Sequence, residues 1–265
     1  MGQTIYQVDS FTRHPFAGNP AGVCLLTTSR PEDWMQSLAA EMNLSETSFM
    51  EATADGFSLR WFTPTQEMNL CGHGTLASAH ILWETGVLRR NDPARFQTRS
   101  GLLTVRNRGD WLEMDFPAWQ SEKTETPEAL EKALGTPILE FRRNEQYGMA
   151  LLESVAALRE IKPDFLLLKT LPLDGVFVTA RDNGQPYDFQ SRVFVPNVGI
   201  NEDPVTGGAH CMLTPFWSER LGKTDMTAYQ CSQRGGMLKV GLRGDRVCLS
   251  GQAVTVFSAE LREPC

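Results

Sequence analysis

The chain has 265 residues, 25 basic against 32 acidic for a net charge of −7, and 41% of its residues are hydrophobic. That content supplies a core without metal or disulfide staples. The acidic balance leaves no basic patch to displace counterions from nucleic acid, the pairs Arg89-Arg90 and Arg142-Arg143 standing alone, and no apolar run approaches the roughly 18 residues needed to cross a bilayer.

In chain order, the segment Met1–Asp9 lacks the basic start and apolar stretch of a leader. Ser29-x-x-Glu32 reads as a capping box with Pro31 in the first turn. Trp34, Leu38 and Met42 follow at helical spacing, and Asn43 suits the helix end. A second helix starts near His73 and stops by Gly86, a third starts near Gly208 and stops at Gly222, and a shorter one runs from Pro127 to Leu134 before Gly135. The run Phe165–Leu168 reads as a strand-length piece. Most of the rest reads as short strands: 4–8, 22–26, 57–62, 102–105, 111–116, 175–179, 189–195, 237–240, 246–249 and 253–257. Few helices among many strands predict an α+β fold.

An internal repeat organises these elements. Arg60-Trp61-Phe62-Thr63-Pro64 and Arg192-Val193-Phe194-Val195-Pro196 share the pattern R-x-F-x-P, 132 residues apart, almost half the chain. Each copy precedes a glycine-bearing turn that opens a helix, Cys71-Gly72-His73-Gly74-Thr75 in the first and Thr206-Gly207-Gly208-Ala209 in the second. The expectation is two halves of like topology joined through the polar stretch Pro117–Thr126.

A helix start offers unpaired backbone N–H groups and the positive end of a dipole, and glycine lets a ligand come close. Two such starts facing one cleft would hold a carboxylate or a developing negative charge; read singly, each is a plain cap. Glu46, at the start of an extended run, is a candidate general acid or base with a raised pKa. His73, between two glycines, reads as an accessible proton relay, and Asp203 as a turn residue in the second glycine segment. Cys71, at a helix start, is either a thiolate or a small buried filler. The six cysteines (24, 71, 211, 231, 248 and 265) form no C-x-x-C pair, which disfavours zinc and fits free thiols in a reducing compartment. With no leader visible, this gives the expectation of a cytoplasmic protein. The nucleotide-binding, zinc-protease and elbow-serine motifs are missing, which leaves proton chemistry by side chains without metal or cofactor.

Several ordered blocks resemble the phenazine-biosynthesis PhzF-like family: Val8–Thr12 with Phe16–Val23, Asn43–Phe49, Arg60–Thr65, Cys71–Thr75, Glu202–His210 and the closing run Val254–Phe257. The resemblance spans essentially the whole chain. It implies the diaminopimelate-epimerase-like fold: two pseudo-symmetric lobes, each a β-barrel-like sheet around a central helix, with the site between them. The lobes are expected at 1–117 and 118–252, with a last strand, 253–265, returning to the first. It also implies a homodimer and a cofactor-free isomerisation that moves a proton between carbons of a small carboxylated, cyclic or unsaturated metabolite. Carried over, Glu46 is the acid/base, with His73 and Asp203 in support. Asn19, Ser45, Cys71, Gly72, Gly74, Thr206, Gly207 and Gly208 then contact substrate. Many relatives have Ser at the position of Gly208 and Ala at that of Gly74. Cys71 matches one thiol of the fold's two-thiol epimerases, whereas the other position is Thr206, which disfavours that chemistry. The rival readings are a Cys71-dependent racemase and a non-catalytic binding protein on the same scaffold.

Overall fold

The computed structural model describes residues 2–184 and 186–262, so Cys265 and the end of the expected 253–265 segment lie outside the described residues. The chain divides into two compact units, Met1–Asp115 with Leu249–Cys265, and Phe116–Cys248.

In the first unit the elements run β1 (Thr4–Ser10), β2 (Asn19–Leu26), α1 (Glu32–Met42), β3 (Glu46–Thr53), β4 (Gly56–Phe62), β5 (Glu67–Met68), α2 (Gly72–Glu84), β6 (Ala94–Thr98), β7 (Gly101–Arg108) and β8 (Trp111–Pro117). The second continues with β9 (Glu122–Thr124), α3 (Glu128–Leu134), β10 (Glu140–Arg143), β11 (Tyr147–Leu151), α4 (Val155–Glu160), α5 (Phe165–Leu168), β12 (Gly175–Arg181), β13 (Phe189–Val195), β14 (Ile200–Asp203), α6 (Gly207–Leu221), β15 (Asp225–Gln230), β16 (Gly236–Arg243) and β17 (Arg246–Gly251). The last strand, β18 (Ala253–Glu260), pairs antiparallel with β1 over its whole length.

The two units share one pairing scheme. In the first, β18–β1 and β1–β2 are antiparallel, β2–β3 parallel, β3–β4 and β4–β5 antiparallel, β4–β6 parallel and β6–β7 antiparallel. The second repeats each sense in turn with β9–β10, β10–β11, β11–β12, β12–β13, β13–β14, β13–β15 and β15–β16. The repeated motif has the same job in both. Arg60 clamps Glu67 through two nitrogens, at 2.7 and 2.6 Å, and lies 5.0 Å above the Phe62 ring. Arg192 clamps Glu202 at 2.8 Å through two nitrogens and lies 4.9 Å above Phe194. Each fork closes the turn that delivers the chain to a helix start.

The helix that follows is the core of its unit. Along α2 every residue from His73 to Ala79 is buried, with Ile81 to Trp83, and the helix packs on β1, β2, β3, β7 and β18. A helix apolar all round needs a sheet all round it, and burying Leu76, Ile81 and Leu82 contributes about 1.5–3 kcal/mol each. In α6, Ala209 to Thr214 are buried, as are Phe216 and Trp217. Outside the sheet of the second unit, α3, α4 and α5 cover a separate apolar cluster built on Leu130, Leu134, Phe141, Leu158, Leu168 and Phe194.

Three expectations need correction, and one helix was missed. Ser29 does not cap α1, whose N-cap is Pro31 with no side-chain hydrogen bond. The Phe165–Leu168 run is a one-turn helix, because Asp164 accepts from the N–H groups of Leu166 and Leu167 at 3.0 Å. Helix α4 was not foreseen; Ser154 caps it. The polar stretch 117–126 is no plain linker, since it contains β9, paired to β10.

Candidate active site

Glu46 is the first residue of β3, set opposite Ala21 of β2 and next to Thr47, which pairs with Phe62. The start of α2 reaches the same place. Cys71, extended at φ −142°, is the N-cap, and its Sγ accepts from the Gly74 N–H at 3.2 Å. Ser10 Oγ donates to the His73 carbonyl at 2.8 Å and Ser48 Oγ to that of Gly74 at 3.3 Å, so β1 and β3 fix the first turn. The packing at 74 suits glycine: a Cβ there would lie 2.8 Å from both Ser48 Oγ and the Trp61 ring, so its neighbours would have to shift.

The result is a polar cluster inside the first unit. His73 Nε2 stands 3.1 Å from Glu46 Oε2 and 3.2 Å from Ser45 Oγ. On the other side of the ring, Nδ1 stands 3.3 Å from Asn19 Nδ2 and 3.5 Å from Cys71 Sγ. Ser45 Oγ also reaches Asn19 Oδ1 at 3.3 Å. His73 is only 6% exposed, so its glycine neighbours do not leave it open as its sequence context implies, and Asn19 is wholly enclosed. Glu46 keeps 9% of its surface. Its Oε2 has no aligned hydrogen bond: the ring nitrogen is close but its N–H is not aimed at the oxygen.

Burial pushes the Glu46 carboxyl up, but the charge and close approach of His73, with Ser45 beside it, outweigh it and hold the group below the usual carboxylate range. This reverses the expected raised pKa. Burial pushes His73 down, but Cys71 and Glu46 on the two sides of its ring outweigh that and raise it well above the usual imidazole value. Burial, then the Glu46 charge, pushes the Cys71 thiol up. The thiol therefore keeps its proton at neutral pH, and the ion pair of the cluster is Glu46 with His73. Enclosure overrides the helix-start effect on the thiol.

Glu46, Cys71 and His73 are the one group of three possible metal ligands found among the described residues. They do not aim at a common point. Sγ lies 3.5 Å from Nδ1 and 3.9 Å from Nε2, alongside the ring rather than on either lone-pair axis. A cavity of about 520 Å³ opens at the other end of α2, lined in part by Arg13, His80, Glu84 and Arg90, with His80 paired to Glu84 at 3.2 Å.

In the second unit, Asp203 ends β14 and is 9% exposed. Thr206, the N-cap of α6, donates its hydroxyl to the Asp203 carboxylate instead of capping the helix. Gln230 completes the turn: its Oε1 accepts from Thr206 N–H at 2.9 Å and its Nε2 donates to the Asp203 carbonyl at 2.7 Å. The first turn of α6, at Gly207 and Gly208, thus has no side-chain cap from Thr206. Gln230 was not foreseen; it lies in a strand with no motif around it.

Strand register matches the units residue by residue. Phe62 faces Glu67 as Phe194 faces Glu202, and Thr47 faces Phe62 as Val176 faces Phe194. The counterpart of Glu46 is therefore Gly175. Counting on from the two glutamates, Cys71 matches Thr206 and His73 matches Gly208. Among the described residues, the cluster of Glu46, Cys71 and His73 lies in the first unit, and the matching positions of the second do not repeat it.

A family model described as phenazine biosynthesis-like protein matches residues 8–259. A protein of Halalkalibacterium halodurans named as an uncharacterised isomerase is 51% identical over 98% of this chain and 99% of its own. The crystal structure of a PhzF-family phenazine biosynthesis protein from Enterococcus faecalis superposes with a TM-score of 0.95 at 40% identity, covering 99% of this chain and 100% of that one. A hydroxyproline epimerase from Agrobacterium vitis shares the fold alone, with a TM-score of 0.64 at 13% identity over 98% of this chain and 90% of its own. The matching pairing schemes, the two glycine-bearing helix starts and these likenesses agree: the chain is an isomerase of the phenazine biosynthesis-like family, with the diaminopimelate-epimerase-like fold.

Proposed function

We propose that this isomerase moves a proton between carbons of a small carboxylated, cyclic or unsaturated metabolite, with Glu46 as the base that takes the proton and returns it. The observation that carries this is the buried Glu46 Oε2, ionised beside His73 yet without an aligned hydrogen bond. A carboxylate so placed is dehydrated and ready to accept a proton. The charge left on the substrate is spread toward its carboxylate, a group that a helix start with uncapped N–H groups, such as the first turn of α6, is suited to hold. His73 keeps Glu46 ionised before the reaction and hydrogen-bonds the system during it. Asp203 acts in support by fixing Thr206 and the glycine turn.

The one-sided distribution of ionisable groups favours a single base over a symmetric two-base racemase. Where the second base would be expected by internal symmetry, the chain has Gly175, Gly208 and Thr206, and Cys71 is held as the thiol. No metal or cofactor enters this reading, and we propose that the protein works in the cytoplasm as a homodimer; sedimentation tests the dimer and cell fractionation the location.

Glu46→Gln keeps the shape and removes the base. With a carboxylate identified by co-purification, the variant is expected to lose roughly 10²–10⁴-fold in turnover and in uptake of solvent deuterium at carbon. Unchanged exchange in Glu46→Gln rules out the role.

A further inference from the structure

We propose that Trp119 is a specificity-determining residue: its indole forms a flat wall beside the first turn of α6 and favours substrates with a planar group next to the carboxylate. This rests on the reading that the α6 turn holds the carboxylate.

Trp119 lies in the polar stretch between β8 and β9, where sequence gives it no visible partner. Two backbone bonds anchor the segment: Ala118 N–H to the Asp245 carbonyl at 2.8 Å and Trp119 N–H to the Cys211 carbonyl at 2.9 Å. The second has a specific origin. The Cys211 carbonyl would normally accept from the residue four ahead in the helix, but that residue is Pro215, which has no N–H. Pro215 thus frees an acceptor inside α6, and Trp119 takes it.

Held this way, the indole reaches the helix start. A Cβ on Gly208 would lie 3.3 Å from its far edge. Tyr147 stacks against Trp119 with centroids 5.5 Å apart and planes 10° apart, and Phe177 stacks under Tyr147 at 5.0 Å and 24°. Phe177 is buried, while Trp119 and Tyr147 keep part of their surface. Three rings braced in series make a rigid wall.

The internal repeat shows that this wall replaces something. Tyr147 pairs with Gly175 as Ala21 pairs with Glu46, and Phe177, two residues after Gly175, matches Ser48. The second unit therefore carries two glycines and one ring, Gly175, Gly208 and Phe177, at the positions where the first carries Glu46, His73 and Ser48. A carboxylate on the Gly208 N–H places its next atoms against the indole. A flat group there gains aromatic contact that a puckered one does not.

The test uses benzoate, cyclohexanecarboxylate and benzyl alcohol as probes, with affinities measured by calorimetry on the intact protein. Benzoate is expected to bind roughly three- to tenfold more tightly than cyclohexanecarboxylate, a preference lost in Trp119→Ala and largely kept in Trp119→Phe. The Phe variant preserves a ring and guards against an alanine variant that fails to fold. An equal affinity for the two carboxylates in the native protein overturns the proposal. So does a preference unchanged in Trp119→Ala, or no binding of either carboxylate at tens of millimolar. Benzyl alcohol separates the two readings. If it binds as well as benzoate, and still depends on Trp119, the carboxylate role of α6 fails while the indole wall stands. The experiment reads binding affinity and not turnover, so its outcome does not depend on Glu46 acting as the base.

Discussion

Two buried histidines of this protein are driven in opposite directions, and the reason is what stands beside each. His73 shares its burial with Glu46 and is raised. His210 is wholly enclosed, and burial, only partly offset by its bond to the Thr206 carbonyl, pushes it down to about 4. That carbonyl can only accept, so Nδ1 carries the proton at 2.8 Å and Nε2 is left as a buried lone pair with no hydrogen bond. The unfolded chain binds a proton at His210 near pH 6.5 and the folded chain only near pH 4. Its contribution to stability is therefore complete above pH 6.5 and is lost as pH falls toward 4, by roughly 3 kcal/mol at most. His73 works the other way: its contribution is present below pH 6.5 and lost as pH rises through its folded value. Denaturant titrations from pH 7 to pH 4 are expected to show falling stability, with the loss reduced in His210→Asn. An equal loss in that variant would remove His210 as the cause. None of this is visible from single residues. The ionisation of Glu46 depends on a histidine 27 positions away that only the fold brings near, so its sequence context points to the wrong sign.

Helices were legible where a glycine or asparagine stopped them. Asn43, Gly135 and Gly222 all take left-handed backbone at the ends of α1, α3 and α6, with φ of 49°, 65° and 64°. The short pieces were not, since Phe165-Leu166-Leu167-Leu168 alone suits a buried strand as well as a helix turn. What decides is Asp164, whose carboxylate occupies two N–H groups that a strand would turn elsewhere. Asp164→Ala is expected to cost about 0.5–2 kcal/mol, read by chemical denaturation, with amide exchange quickening first at Leu166 and Leu167. The indole of Trp119 was hidden for a different reason. Its anchor is a carbonyl released by a proline 96 residues later, and the only clue in the sequence is Pro215 within an otherwise continuous helical run.

The duplicated plan was the most legible feature, because R-x-F-x-P is tied to geometry: the arginine must reach both a ring two residues on and a glutamate on the next short strand. Around that shared frame the side chains differ, and one unit carries an ion pair where the other carries a stack of rings. The frame also crosses the linear order of the chain. The outer partner of β1 is β18, from the far end of the sequence, whereas β9 and β10, which hold the same places in the second unit, lie close together. Removal of residues 253–262 is expected to expose the β1 amides Thr4–Ser10 to rapid hydrogen exchange while sparing β10, and equal protection in both would refute the dependence. During translation the consequence is a reversal of order. The first unit, although made earlier, must wait, its edge open to stray pairing, until β18 follows to seal it, while the second has its edge partner β9 made just before β10.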